Sequence, residues 1–453
     1  MSTVTPSEST ESGSRPHKLS ARTTLRALRH RNFQLFFAGQ MISLTGTWMQ
    51  NIAQDWLVYR LTGSSLLLGL VAFMNLIPVL ILAPLAGIVA DRFNRRRTVI
   101  LTQTLSMLLS LVLAILTLTG LIQVWEILIL TTLLGIVIAF DIPARQAFLM
   151  DMVGREDLFN AIALNSSMFN AARIVGPAVA GALVAWIGEG WCFFVNGVSY
   201  LAVIAGLSMM QLGSQTSHLP AGSAFEHIVE GFRFARRTAP IRSLLLMVGL
   251  VSLVAMPYTV LMPIFAANVL NGGAGALGLL MGAMGVGALL GSLVLASKQN
   301  VQGLGRWVWT AGVIFGGSLI LFSMSRNFTL SLLLLVPAGL GMMVQMGATN
   351  TLLQVMSPDR LRGRVMALYS MMFIGMSPVG ALLGGALAYK IGAPWTVGIG
   401  GAACLASGIL FARHLPSIRG EARELIEAQG IVIGEPSAPF SLFALIRRFT
   451  RGA

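Results

Sequence analysis

Long apolar runs without a single charged residue recur along the chain. Residues 32–54, 61–90, 98–125, 243–297, 307–325, 327–358, 365–389 and 391–412 contain no Asp, Glu, Lys or Arg. Each is at or near the roughly 20 residues a helix needs to cross a hydrocarbon core of about 30 Å. The run 243–297 is long enough for two crossings and breaks at Asn271-Gly272-Gly273. Residues 126–150, 160–187 and 190–212 supply three more, with a few internal charges. The pattern predicts twelve helices, near 33–58, 66–90, 98–119, 124–148, 160–187, 191–212, 241–268, 275–297, 305–325, 329–354, 364–389 and 395–412. Polar and apolar residues do not alternate in segments of about ten, which excludes an outer-membrane barrel. The expected fold class is an all-α polytopic membrane protein. It has a flexible basic N-terminus (1–32), a six-helix half (33–212), a central loop (213–240), a second six-helix half (241–412) and a tail (413–453).

Composition agrees. Only 11% of the 453 residues are charged and 55% are hydrophobic, against about 25% charged in soluble domains, so a water-facing enzyme surface cannot be built. The net charge of +14 is dispersed between apolar runs, where it cannot track a nucleic acid; it reads instead as topology. With the N-terminus inside, inner segments hold 27 Lys and Arg, and outer loops hold three, Arg60, Arg326 and Lys390; Arg173 alone lies within a span. Both termini are therefore expected in the cytoplasm, with the basic loops against anionic lipid headgroups. Residues 1–32 have no apolar h-region, so the first helix is expected to target the chain. Cys192 and Cys404 sit in apolar runs and say little about redox compartment. Five scattered histidines have no metal spacing, and no phosphate-binding loop is present. Neither a cofactor nor an enzyme is implied.

A shift of 204 residues aligns 160–188 with 364–392 without a gap at 12 identities in 29, and carries Gly87 to Gly291 and Gly135 to Gly339. Two parallel copies enclosing a midplane site is the plan of alternating access; shared small-residue packing is the simpler alternative. Within 213–240, apolar residues at helical spacing from Phe225 to Phe234, ending in Arg236-Arg237, predict an amphipathic helix on the inner surface. His227 there reads as an interfacial residue. The tail over 437–451 is either a second surface helix or disordered.

Between the second and third helices stands Gly87-Ile-Val-Ala-Asp91-Arg92-Phe-Asn94-Arg95-Arg96-Arg97. Gly87 is expected to permit close helix contact and Asn94 to take a left-handed turn. The stretch resembles the major facilitator superfamily signature G-x-L-x-D-R-x-G-R-R, with Val89 for Leu and Asn94 for Gly. The resemblance implies a cytoplasmic gate at Gly87, Asp91, Arg92, Arg95 and Arg96, in which Asp91 latches the halves in the outward-facing state. A topology anchor alone would explain the arginines but not the acid. In the fifth helix Gly176-Pro177-Ala178-Val179-Ala180-Gly181 resembles the antiporter signature G-P-x-x-G-G of that family's exporters, with Ala180 for a Gly; a generic proline kink is the alternative. Asp141-Ile-Pro143-Ala-Arg145-Gln146, Asp151, Asn165-Ser-Ser and the Trp48-to-Tyr59 opening resemble the branch of enterobactin-type siderophore exporters and multidrug or secretion-effector permeases. The resemblance implies the major facilitator fold and spans about 25–415.

Ionisable residues within spans are costly and are functional candidates. They are Asp55, Glu126, Asp141, Arg145 and Arg173. Asp55 is the first candidate for proton coupling and Asp141 the second; Asp55 pairing Arg60, and Asp141–Arg145 forming a gate pair, are the alternatives. Arg173 requires a partner, with Asp141 and Asp55 next in helix order, and Glu126 reads as interfacial. In the family helices 1, 4, 7 and 10 line the cavity, which here nominates Gln50, Asn51, Gln54, Tyr258, Gln345 and Asn350. Met49, Met256, Met262, Met342, Met343 and Met346 lie nearby and would suit a broad apolar substrate, or simply pack. The expected function is a monomeric proton antiporter of the bacterial inner membrane, exporting a siderophore-like or drug-like small molecule. Open alternatives are an uptake permease, a lysophospholipid-type flippase and, remotely, a membrane enzyme.

Overall fold

The computed structural model describes residues 26–211, 224–298 and 300–429. The segments 1–25, 213–223 and 437–451, for which flexible, surface-helix or disordered roles are expected, lie outside the described residues. After a 3-10 turn at Arg26–Arg29, the chain forms α1 (Arg31–Thr62), α2 (Ser65–Arg92), α3 (Arg95–Leu118), α4 (Val124–Gly154), α5 (Glu156–Ile187) and α6 (Glu189–Ser208). Then come α7 (Ala224–Arg237), α8 (Ala239–Val269), α9 (Ala274–Ala296), α10 (Leu304–Met324), α11 (Phe328–Met356), α12 (Asp359–Ile391) and α13 (Ala393–Glu427).

Among the described residues, 11 of these helices are long and apolar enough to cross a membrane. The twelfth span, α1, has 32 residues and packs within the bundle against α6. Gln40, Gln50, Asn51, Gln54 and Asp55 keep it less apolar than the others. Local chemistry sets the ends. Gly63 closes α1 at φ 61°, Ser64 caps α2, and Gln123 and Glu126 close α4's first turn as a capping box. Asn94 accepts from the Arg97 N–H at 3.0 Å with φ −64°. It is thus the N-cap of α3 and not the left-handed residue expected, because an Asn before a helix satisfies an orphan donor from extended backbone. The loop expected between α4 and α5 is absent; the two helices meet at Gly154. The last helix runs to Glu427, past its expected end at 412.

Each half packs as its own bundle, and glycines set where the halves touch. Gly181 of α5 crosses Gly278 of α9, where an added Cβ on either would lie 2.7–2.8 Å from the other's Cα. Gly385 of α12 crosses Gly69 of α2 in the same way, at 2.9 Å, and the Ser65 hydroxyl donates to the Gly385 carbonyl at 3.0 Å. Gly181 and Gly385 are 204 residues apart, and both contacts sit at the end of the bundle opposite the termini. The shift of 204 does not hold in α2 and α9. Gly135 abuts Asn75 and Gly339 abuts Met284, so that pair of helices is offset by 209. Gly87 and Gly291 are therefore not equivalent, and no atom lies within 4 Å of a Cβ built on Gly87, so the close contact expected there is absent. The additional residues precede α9: α8 contains two π-helical turns, Val251–Ala255 and Phe265–Val269, flanking Pro257 and Pro263, whose missing N–H groups break the regular ladder.

At the end that carries the termini, both halves hold an outer segment by charge. Asp157 of α5 binds Arg26 (2.9 Å) and His30 (2.8 Å), and Asn160 accepts from the Ala27 N–H. In the second half Glu230 of α7 binds Arg360 at 2.8 Å and also Arg364 of α12. Glu156, 3.8 Å from Arg26, and Arg360, 2.8 Å from Glu230, are 204 residues apart, so one docking position is used twice with the charges exchanged.

Candidate functional site

Two ion pairs lie on the spans of the first half, Asp141–Arg145 and Arg60–Glu189. Asp141 on α4 lies 3.4 Å from Arg145 one turn on and accepts from the Thr102 hydroxyl (2.8 Å) and the Gln103 amide (3.0 Å) of α3. Arg145 also donates to Gln40 of α1 at 3.2 Å. The cluster is buried, lies toward the terminal end and ties α1, α3 and α4 together. Thr102, Gln103 and Gln40 are missing from the residues nominated by sequence; a polar side chain within an apolar run was the signal. Glu189, at the start of α6, takes Arg60 at 2.8 Å.

That pair removes Arg60 as a partner for Asp55. Asp55 is half-buried on α1, about two turns before the helix ends at Thr62, and among the described residues it makes no hydrogen bond or ion pair. Arg173 meets neither expected carboxylate; its guanidinium lies over the Trp48 ring at 5.9 Å. The antiporter-type stretch serves as a packing surface on both flanks. Gly176 abuts Trp48 and Thr45 of α1, and the Pro177 carbonyl and Gly181 abut Gly278.

The stretch expected to form the gate surrounds α3's first turn. Arg95 reaches Asp151 at 2.9 Å, Arg96 donates to the Ser208 carbonyl at the end of α6 (2.7 Å), Arg92 is exposed and Asp91 half-buried. All the contacts named here are within the first half.

The nominated cavity residues divide. Gln50 accepts from Asn196 of α6 at 2.7 Å and Gln54 donates to Thr131 of α4 at 3.0 Å, so both face their own half. Asn51 is exposed. Tyr258 packs edge-on to Phe315 at 6.1 Å and is buried, as is Gln345. Neither has a hydrogen-bond partner among the described residues, and the same holds for Ser252 and Thr349. Asn350 accepts from Gln354 at 2.6 Å. Met49, Met262, Met342 and Met346 are buried in packing, whereas Met256 and Met343 are half-buried. Among the described residues no group of His, Cys, Asp or Glu has the arrangement of a metal site.

Residues 22–430 match the family model described as transmembrane secretion effector. The chain is 27% identical over 355 residues to the staphyloferrin A transporter of Staphylococcus aureus (77% of this chain, 87% of that one). It is 27% identical over 354 residues to the multidrug efflux pump Tap of Mycolicibacterium fortuitum (75% and 85%). To the enterobactin exporter EntS of Shigella boydii it is 23% identical over 393 residues (86% and 93%). A bacterial homologue of the iron transporter ferroportin, solved in an inward-facing state, superposes at a TM-score of 0.64 with 17% identity (84% and 98%), which is a likeness of fold.

Proposed function

We infer the function from one premise: the chain belongs to the transmembrane secretion effector family of the major facilitator superfamily. It is a multi-pass membrane transporter with efflux-related relatives, and not an enzyme. Beyond that, we propose a proton-coupled exporter of the bacterial inner membrane that moves a siderophore-like or drug-like small molecule outwards, with both termini cytoplasmic. The staphyloferrin, multidrug and enterobactin relatives support the substrate class, and the efflux pump and the exporter among them support the direction. The glycine crossings at the end opposite the termini support an inward-facing arrangement with its outer side closed.

The observation that carries the coupling is the isolation of Asp55. The carboxylates Asp141, Asp151 and Glu189 each face an arginine, and Glu126 caps its own helix. Among the described residues Asp55 has no such partner. A lone carboxylate at membrane depth is costly when ionised and far less so when neutral, so its loading with a proton is tied to whether its surroundings are dry or open to water. In this scheme Asp55 takes a proton from the outer side and releases it inwards as substrate leaves. Asp141, held by three donors, keeps α3 and α4 in register and acts as a gate element with Arg145.

The test uses the purified protein in vesicles with an imposed pH gradient and an internal pH dye. Asp55→Asn is expected to abolish substrate-driven proton flux while substrate binding persists. Intact flux in that variant rejects Asp55 as the coupling site, and a wild-type protein that transports without dissipating the gradient rejects antiport.

A further inference from the structure

The second half contains a cavity apart from the space between the halves. It has a volume of about 790 Å³, within the roughly 300–1,000 Å³ of small-molecule sites. It lies at the terminal end, among the starts of α8 and α10, the end of α11 and the part of α13 that extends beyond its predicted span. Its inner wall is apolar, with Leu244, Trp309, Leu352 and Phe411. Its outer wall carries Arg306, Arg419 and Arg423, and no acidic residue lines it.

Two of these arginines are uncommitted. Arg423 pairs with Glu427 at 2.7 Å, but Arg306 and Arg419 make no side-chain hydrogen bond or ion pair among the described residues. The start of α10, at Gly303, opens on the same space without a side-chain cap, so the positive end of its dipole adds to the field. A wall that is apolar toward the membrane interior and cationic toward the helix ends fits a molecule with an acyl part and an anionic head. The chain's own segment 430–453 does not fit: it contains Arg447, Arg448 and Arg451 and one acid, Glu435, and would bring like charge to the arginines.

We propose that this cavity is a binding site for an anionic phospholipid of the terminal-side leaflet, with its phosphate held by Arg306, Arg419 and the start of α10. The lipid wedges between α10 and the extension of α13, and so sets how firmly that extension is held to the second half.

The full-length protein is released from vesicles of equal phosphatidylglycerol and phosphatidylcholine with matched acyl chains, and retained lipid is read by native mass spectrometry. Retention of phosphatidylglycerol about thirtyfold over phosphatidylcholine is expected, the order for two arginines at an anionic headgroup. Arg306→Gln with Arg419→Gln should bring the ratio near one, and Arg306→Lys with Arg419→Lys should keep most of it. Ala422→Trp, which fills the cavity with its charges intact, should lower retention of both lipids. Equal retention by the wild type, an unchanged ratio in the glutamine pair, or displacement by millimolar inorganic phosphate would overturn the proposal. So would retention that appears only after truncation at Gln429, which would make the tail the occupant.

Discussion

Asp141 and Gln345 stand 204 residues apart at equivalent places in the two halves, as Gly135 and Gly339 do, and only Asp141 is satisfied. Thr102, Gln103 and Arg145 surround the carboxylate. Gln345 is 1% exposed, and neither its amide oxygen nor its nitrogen has a partner among the described residues. Thr349, at the place of Arg145, is equally without one. Among the described residues one half has a hydrogen-bonded polar cluster at this level, and the other has buried polar groups on α8 and α11 without partners.

The two positions should therefore respond in opposite ways. Asp141→Ala strips the acceptor from Thr102, Gln103 and Arg145. Removing one member of a buried charge pair costs about 3–5 kcal/mol. Arg145 is 22% exposed and keeps Gln40, so a loss of about 2–3 kcal/mol is expected. Gln345→Met keeps the length and removes two unsatisfied polar atoms, and should be neutral or stabilising by up to ~1 kcal/mol. Thermal unfolding in detergent reads both, and equal losses would refute the asymmetry.

The spans and their doubling were legible because charge is excluded from a bilayer and because the repeat keeps its small residues in α5 and α12. Partnerships across helices were not legible. Arg60 chooses Glu189 over Asp55 because α6 lies against α1, a neighbour relation that no spacing encodes. Gln50 and Gln54 looked like cavity residues, yet each turns to a polar group on a helix of its own half. The cap at Asn94 is legible, since an Asn directly before Arg95-Arg96-Arg97 and an apolar run is an N-cap signal. Gly87 and Gly291 were aligned by a constant offset that the π turns of α8 and the connection after it had already changed.

The glycine crossings are expected to control which side is open. Gly278→Val places a branched side chain where a Cβ alone would already lie 2.7 Å from the Gly181 Cα. Overpacking of this kind costs about 1–3 kcal/mol, and here the cost falls only on the state that is closed at that end. The variant should raise the reactivity of a cysteine introduced near Asn271 toward an impermeant thiol reagent, with Cys192 and Cys404, both buried, silent. Unchanged reactivity would mean the crossing does not gate that end.

Glu230 ties α7 to α12 by charge, beside the apolar packing of Phe234 and Ala235. Glu230→Lys puts a third cation beside Arg360 and Arg364, and Gly231 packs against the Arg364 side chain. Because the Glu230 side chain is 38% exposed, solvent screens the pair and the stability loss should be below about 1 kcal/mol. Local detachment is the more sensitive readout. Amide exchange over Ala224–Arg237 should accelerate in Glu230→Lys and recover when Arg364→Glu is added. A helix held by its apolar face alone would show neither change.

Gly154 and Gly63 both have positive φ, yet they should tolerate different residues. Gly63 has φ 61° and ψ 7°, in the left-handed region that Asn also visits. Gly154 has φ 71° and ψ −179°, a region populated essentially by glycine alone. No atom lies within 4 Å of a Cβ built on either, so contact plays no part and the backbone sets the whole difference. Gly63→Asn is expected to leave stability within about 0.5 kcal/mol. Gly154→Asn and Gly154→Ala should each cost of order 1–3 kcal/mol, because the turn joining α4 to α5 must adopt another shape. That turn lies next to Asp151, which holds Arg95, so the strain should also reach the gate motif and slow transport. Unfolding midpoints of the three variants, measured side by side, check the ranking; an Asn tolerated equally at both positions would place Gly154 outside the glycine-only region.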